Sequence, residues 1–409
     1  MKHIAVISNM YYPVMGATSA VIDKYLRELK EDYTFHIITK TYEIDFPPSE
    51  EFDISYISSF RHRLYQRCMY NVKKGNNVLL SKLLLFLVRV SMVIQNQWSF
   101  PTSRRWEINA YYQQLVALYE KYHIDTVIAV SDNFVSQLAM LKFKERYQNV
   151  KWIALILDPY HDLFVYYKYK LIKCLWKKAN ERKELEIYKK ADYLLFSIEM
   201  YNHVIEIYDI DKNKIFPLYF TLNKDLSDGS FSCDENVSSL VYAGGFYKEI
   251  RNPEFALSSL SLVANMRLTM YLHKGDCDDI VERFLSNRIL RKCVVGRKEY
   301  IDILKYKCDI LVNVGNKSSL QAPSKMLELL STGKPIINFS FSKDSQYEMI
   351  EKYPLGINIM DQDKDAPYKI TEFCKRMKGK KMQFEEILEL FPDNNISNQV
   401  KNLKGLIEM

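Results

Sequence analysis

The chain has 409 residues, 48% of them hydrophobic, and a formal net charge of +7. That length implies two to three domains with enough apolar material for large cores. Its seven cysteines (Cys68, Cys174, Cys233, Cys277, Cys293, Cys308 and Cys374) are odd in number and lack the short spacing of a metal site; with no signal peptide, Walker pattern, TIM-barrel pattern or repeat period, they imply a reduced cytosolic protein and exclude a disulfide scaffold.

In chain order, Lys2–Ser8 (KHIAVIS) has the apolar run of a buried strand. The loop SNMYYPVMGATSA follows, then an amphipathic helix over Ser19–Leu29 and a strand over Phe35–Thr39. From Ile54 to Trp106 there is no Asp or Glu, while the same stretch holds Arg61, Arg63, Arg67, Lys73, Lys74, Lys82, Arg89, Arg104 and Arg105. Inside it lies Val78–Ile94, VLLSKLLLFLVRVSMVI, followed by Trp98. The run is nearly long enough to span a bilayer, yet Lys82 and Arg89 interrupt it and the α/β pattern resumes on both sides. It reads either as a helix in a membrane interface, with Leu84 and Leu85 on the lipid side, or as a buried helix of the first domain. Tyr160–Lys183 repeats the mixture of aromatics and Lys. No nucleic-acid module is recognisable, and bulky aliphatics suit lipid better than nucleic acid.

Strands return at Asp125–Val130, Trp152–Leu157 and Asp192–Phe196. The first two end in polar clusters, Ser131-Asp132-Asn133 and Asp158-Pro159-Tyr160-His161-Asp162. Alternation of strands and helices implies a parallel sheet, whose ligands bind at the carboxyl ends of its strands. Gly16, Asp132 and Asp158 then share one edge. His161 reads as a functional imidazole or as a plain loop histidine.

The polar stretch Leu222–Asn236 reads as a linker. Ser239–Pro253, SLVYAGGFYKEIRNP, is an apolar strand, a turn at Gly244 and Gly245, and a basic loop entering a helix. Glycines let the backbone approach a ligand closely, and Lys248 and Arg251 stand where a phosphate would sit. Arg267–His273 is a strand, Asp278–Leu285 a helix, Lys292–Val295 a short strand, Tyr300–Cys308 a helix and Asp309–Val314 a strand. Gln321–Phe339, QAPSKMLELLSTGKPIINF, then gives loop, helix, stop and strand. Pro323 suits the first helical position, and Gly333 ends the helix. The helix start presents unpaired N–H groups to an anion, with the Ser324 hydroxyl and the Lys325 charge beside them. Glu328, one turn on, can accept two hydroxyl hydrogens. The pattern suits a nucleoside diphosphate, and it is also what an ordinary, well-capped βαβ unit gives.

The pattern APSKMLELLSTGKP resembles the donor site of bacterial glycosyltransferases with the two-domain GT-B fold. It is most similar to family-4-like retaining enzymes that build capsule, O-antigen and other surface polysaccharides. The resemblance runs over Leu240 to Ile359 and implies an α/β chain of two Rossmann-like, doubly wound domains facing across a cleft. The acceptor domain would span residues 1–221, with a membrane-facing insertion near 54–106, and the donor domain 237–365. Helices over 366–409 would follow, the last crossing back to the first domain. By resemblance Glu328 binds the ribose, while Arg251, with Lys248 second, clamps the diphosphate together with Lys325. Gly16, Gly244, Gly245, Ala322, Pro323 and Ser324 line the donor. Asp158 or Asp132 orients the acceptor hydroxyl. The sequence departs from the pattern at Leu320, where many family members have Glu, and at Leu157, where Arg or His is frequent. The implied reaction is sugar transfer from a nucleoside-diphosphate sugar, a UDP-sugar first, to a lipid-linked glycan at the inner membrane surface. It needs no metal and no cofactor beyond the donor. A non-catalytic GT-B subunit that binds glycan or a partner enzyme is the alternative, followed by a sugar-nucleotide 2-epimerase.

Overall fold

The computed structural model describes the chain apart from residues 14, 42–45, 99–104, 132–133, 162–172, 229–235 and 318–323. It forms two compact units, Met1–Tyr219 together with Gln399–Met409, and Phe220–Asn398.

The first unit is built on β1 (Lys2–Ile7), β2 (Tyr33–Thr39), β3 (Asp53–Tyr56), β4 (Thr126–Ser131), β5 (Lys151–Ile156), β6 (Tyr193–Ser197) and β7 (Ile215–Leu218), in the order β3-β2-β1-β4-β5-β6-β7. Every pairing is parallel. Helices cover both faces of such a sheet, so its central strands are apolar throughout rather than alternating, and β4 is buried along its whole length. The strand order switches direction between β1 and β4, and in such sheets ligands bind beyond the carboxyl ends of the strands at that switch. The last helix, Ile396–Glu408, ends against the first unit. Its last turn, which has no further helical donors, is met by cations: Lys2 Nζ donates to Ile407 O at 3.0 Å and Lys151 Nζ to the same oxygen at 2.8 Å.

An antiparallel helix pair, Phe60–Lys74 and Val78–Trp98, extends from this unit. The turn between them uses Gly75 in the left-handed region, φ 78°. Leu85 (6% exposed), Val88 and Ser81 face inward. Leu79 (88% exposed), Leu80, Leu83, Phe86 (62% exposed), Leu87, Val90 and Ile94 face outward. The sequence reads this helix as either interfacial or buried; one face is buried and the other is exposed. The lipid-side expectation for Leu84 and Leu85 is corrected: Leu84 is half-buried and Leu85 is core, because residues one helical turn from Ser81 and Val88 share their face.

The second unit repeats the architecture with β8 (Ser238–Ala243), β9 (Met266–Tyr271), β10 (Ile289–Lys292), β11 (Ile310–Val314), β12 (Ile336–Ser340) and β13 (Gly356–Met360), in the order β10-β9-β8-β11-β12-β13. Here β10 lies three residues before the expected Lys292–Val295. Buried Ile289 pairs with Leu268, whereas Val294, the apolar lure, is exposed. Leu222 and Leu226, read as linker, are buried in this unit's core.

Two polar devices hold the second sheet. In-register Asn313, Asn338 and Asn358 form an amide ladder across β11, β12 and β13. Asn313 Nδ2 donates to Asn338 Oδ1 and Asn338 Nδ2 to Asn358 Oδ1, each at 2.8 Å. A register slip would orphan these buried groups. Lys334, the cation of the GKP motif, is buried, and its Nζ donates to the carbonyls of Lys305 and Cys308, each at 2.8 Å. It thereby satisfies the end of helix Arg297–Tyr306. Replacing Asn338 by Ala leaves Asn313 bonded to Gln346 and Asn358 to the Tyr347 carbonyl, but removes the acceptor of one buried Asn313 N–H and the donor to Asn358 Oδ1. We expect a loss of about 1–3 kcal/mol per orphaned group, read as a lower urea midpoint for the second unit's transition; an unchanged midpoint would show that the ladder does not hold the sheet.

Candidate functional site

In the second sheet the chain reverses between β8 and β11, so the crevice opens where these neighbours end. Gly244 and Gly245 follow β8, and Gly315 and Asn316 follow β11. The loop after β8 closes on itself, with Arg251 N donating to Tyr247 O at 2.7 Å, and Lys317 N donates to Ile250 O at 2.7 Å. This lock sets the Arg251 side chain, whose Nε donates to Oδ1 of buried Asn316 at 3.0 Å. Lys325 comes from the first turn of helix Ser324–Ser331, which follows β11, and its Nζ donates to Ala243 O at 3.2 Å. A Cβ on Gly244 would lie 3.1 Å from Lys325 Nζ and 2.9 Å from the Tyr242 hydroxyl. Glycine at 244 therefore leaves room for both groups at the strand end.

The electrostatics are one-sided. Lys325 keeps an exposed flank, yet the crowding of its ammonium, with Arg251 close by, pulls it below the usual lysine range, against an opposing pull from Glu328. Burial pushes the Tyr242 hydroxyl up to about 12, against the pull of Arg251. Neither Arg251 nor Lys325 has a carboxylate within ion-pair distance among the described residues. Glu328, one turn along the helix, is held elsewhere: Arg297 Nη1 lies 2.7 Å from its Oε1, and the Tyr300 hydroxyl donates to its Oε2 at 3.0 Å. A carboxylate has about four acceptor positions, so two remain for further hydroxyls.

Of the residues expected from sequence, Gly244, Gly245, Arg251, Lys325 and Glu328 gather around this strand end. Lys248 turns away to Asp279, its Nζ 2.9 Å from Oδ2. Ala322, Pro323 and Leu320 lie outside the described residues, as does the Ser324 side chain. Asn316, Arg297 and Tyr300, which orient the charged groups, were not singled out as site residues.

The first sheet has its own crevice edge. Gly16 caps helix Ala17–Leu29 with ordinary φ of −73°, and a Cβ there would make only ordinary contacts, 3.5 Å to Met10 at the nearest, so packing does not require glycine. Asp158 follows β5, and burial raises its carboxyl to about 6. Its loop is fixed by Glu184, which sequence analysis missed. This buried carboxylate accepts from the backbone N–H groups of Tyr160 and His161, each at 3.1 Å, and from the Tyr188 hydroxyl at 2.6 Å. His161 Nδ1 lies 2.6 Å from Glu184 Oε2, so the imidazole is held by a carboxylate rather than loose. Leu157, 4% exposed, points into packing and offers no polar group. Asp132 lies outside the described residues.

No protein-family model and no curated protein matches the sequence. Solved structures do match the fold. Sucrose-phosphate synthase from Thermosynechococcus elongatus has a TM-score of 0.67 at 13% identity, over 100% of this chain and 98% of that one. Anabaena HepE in complex with UDP-glucose has 0.62 at 9% identity, over 100% of both chains. The lipopolysaccharide outer core galactosyltransferase WaaB has 0.59 at 13% identity, over 99% of both. At these identities the likeness establishes the fold, α/β with two Rossmann-like domains of the GT-B class.

The Lys325 shift has a signed consequence. Its lowered pKa means that the ammonium loses its proton at lower pH than a free lysine, while a bound anion favours the charged form. Affinity for inorganic diphosphate, measured by calorimetry, is expected to be level at neutral pH and to fall as pH rises through the lowered pKa. Lys325→Arg, which stays charged, should flatten that decline; an identical decline in the Arg variant would remove Lys325 as its source.

Proposed function

We propose that this chain is a glycosyltransferase that moves a sugar from a nucleoside-diphosphate sugar to a hydroxyl of a lipid-linked glycan in surface-polysaccharide assembly. The observation that carries the reading is the pair of cations, Arg251 and Lys325, held without a carboxylate partner at the carboxyl ends of β8 and β11, with Glu328 one turn away. The geometry suits a diphosphate flanked by a ribose. As charge grows on the leaving diphosphate, groups already in place stabilise it without reorganising, an effect worth roughly several kcal/mol of barrier. The two cations perform that neutralisation, so the proposed reaction uses no metal. Gly244 and Gly245 let the donor diphosphate approach this strand end closely, and Asp158 of the first unit is assigned to orient the acceptor hydroxyl. We take the donor to be a UDP-sugar, by analogy with the UDP-glucose held by HepE, and the stereochemistry to be retaining.

We further propose that the protein works at the inner face of the membrane as a peripheral protein. No described helix is long and apolar enough to cross a bilayer. The outward face of helix Val78–Trp98 combines Leu79, Leu83, Phe86 and Leu87 with exposed Lys82 and Arg89. A helix of that composition lies in the interface, its apolar side in the acyl boundary and its cations at anionic headgroups.

Two experiments test these readings. Incubated with UDP-sugars, the protein should slowly release UDP and accelerate when a lipid-linked acceptor is added. A protein that binds UDP and releases none would be a binding subunit, and one that alters the sugar an epimerase. In the same preparation Arg251→Ala should weaken UDP but not uridine, whereas Glu328→Ala should weaken both by roughly 1.5–3 kcal/mol.

For the membrane, co-sedimentation with anionic vesicles should be strong at low salt and partly salt-resistant. Leu79→Ser, Leu83→Ser and Phe86→Ser together should abolish the salt-resistant part while leaving UDP affinity intact. Sedimentation that ignores both the vesicles and these substitutions would leave the apolar face without a lipid role.

A further inference from the structure

The first unit holds a second place where side chains are left unsatisfied. A cavity of about 650 Å³ opens past the carboxyl ends of β2 and β3, against helix Phe60–Lys74. Its wall is apolar at Phe46, Phe60 and Leu64 and basic at Arg63 and Arg67, one helical turn apart. None of its described lining residues is acidic. Arg63 Nη1 donates to Ser58 Oγ at 3.1 Å, and Arg67 has no ion-pair partner among the described residues. The inner side of the helix is spoken for, since Gln66 Nε2 donates to Thr41 O at 2.6 Å. The arginines are thus not what fixes the helix to the sheet.

Tyr56 also lines this cavity, and its hydroxyl is enclosed and without a hydrogen-bond partner among the described residues. Burial raises its pKa, so it remains an O–H donor. An enclosed donor with nothing to donate to is costly unless a ligand supplies the acceptor. Phe60, 76% exposed, separates this cavity from a second of about 710 Å³ lined by Arg61, Ser91, Ile94 and Trp106. There the Trp106 indole N–H is likewise enclosed and unpartnered among the described residues. Ile94 belongs to the exposed leucine face. An apolar track therefore runs from the arginine pair, over Phe60, to that face.

A free anion has no use for the aromatic wall, and a neutral lipid none for the two arginines and the phenol. Both are used by a single-chain lipid phosphate or diphosphate. We propose that this cavity binds the phosphate end of the lipid-linked acceptor, with Arg63, Arg67 and the Tyr56 hydroxyl on the phosphate oxygens and the chain leaving over Phe60 toward Ile94. The proposal rests on the reading of the chain as a transferase to a lipid-linked glycan, and it names the side chains that would recognise that lipid.

The test titrates the full chain with farnesyl diphosphate, farnesol, inorganic diphosphate and dihexanoyl phosphatidic acid, with UDP as a parallel ligand. Farnesyl diphosphate should bind at least tenfold tighter than farnesol. Arg63→Ser with Arg67→Ser should cost about tenfold or more of that affinity, the equivalent of one charge-assisted hydrogen bond, and leave UDP affinity unchanged. Lys325→Ala should do the reverse. Tyr56→Phe should weaken farnesyl diphosphate severalfold while the protein stays at least as stable, since it removes an unpartnered buried group. Farnesyl diphosphate binding that follows Lys325 instead of the arginines would place it at the donor site and overturn the proposal. Equal binding of dihexanoyl phosphatidic acid would make the cavity a bilayer-lipid site and overturn it as well. If UDP fails to bind while farnesyl diphosphate behaves as stated, the donor reading falls and the cavity stands.

Discussion

The candidate site of the second unit depends on keeping two positive charges together without neutralising them. Arg251 is steered by a neutral amide, Asn316, and Lys325 by the Ala243 carbonyl. The nearest acid that acts on Lys325, Glu328, is held by Arg297 and Tyr300. Were Glu328 free to swing onto Lys325, the pair would collapse into an ion pair and the site would lose half its charge. Arg297 thus does more than orient a carboxylate; it leaves the cations available. The depressed Lys325 pKa is the physical mark of this arrangement, because like charge and crowding both disfavour its protonated form.

Such a site needs a frame that cannot relax. Relaxation is opposed at each step outward. The Lys317 to Ile250 hydrogen bond ties the two loops, the parallel register of β8 with β11 fixes where they end, and the asparagine ladder fixes the register of β11 with β12 and β13. Lys334 closes the far side by satisfying the end of the helix that carries Arg297 and Tyr300. The GKP motif therefore contributes to the site through the position of a helix and not through its own charge.

What could be read in the sequence was what is local. Central strands such as Lys2–Ile7, Thr126–Ser131 and Lys151–Ile156 show as apolar runs because both faces of a parallel sheet are covered. The edge strand Asp53–Tyr56 went unread because its four residues are only half-buried and too few for a pattern. Gly244, Arg251, Lys325 and Glu328 were legible because each lies on a strand end or a helix start that punctuation residues announce. Asn316, Arg297, Glu184 and the asparagine ladder were not, because their partners are distant: Arg251 and Asn316 are 65 residues apart, and Glu184 is 23 residues from His161. Nothing in a neighbouring sequence window records such a pairing. The helix Val78–Trp98 was half legible, since its composition declared an apolar helix but not which side would be covered.

The exposed side of that helix is the third place, after the cations and the Tyr56 hydroxyl that has no partner among the described residues, where the chain departs from what folding alone requires. Leu85, Val88 and Ser81 already anchor the helix, so polar residues at 79, 83 and 86 would leave the anchoring contacts intact. Fully burying a leucine-sized side chain is worth about 1.5–3 kcal/mol, a gain this face forgoes at every exposed position in water. A protein that left such surface uncovered would invite association with other copies. The interspersed Lys82 and Arg89 oppose that outcome by like-charge repulsion between two such faces, yet they favour an anionic surface. The same pairing of apolar wall and unneutralised arginine recurs in the cavity under Phe60. Places where local rules fail in a folded chain are where function is expected to sit. Here the failures share one chemistry, positive charge beside apolar surface on the first unit and positive charge beside a strand end on the second. That chemistry fits the proposed reaction, in which both substrates carry phosphate and only one carries a lipid.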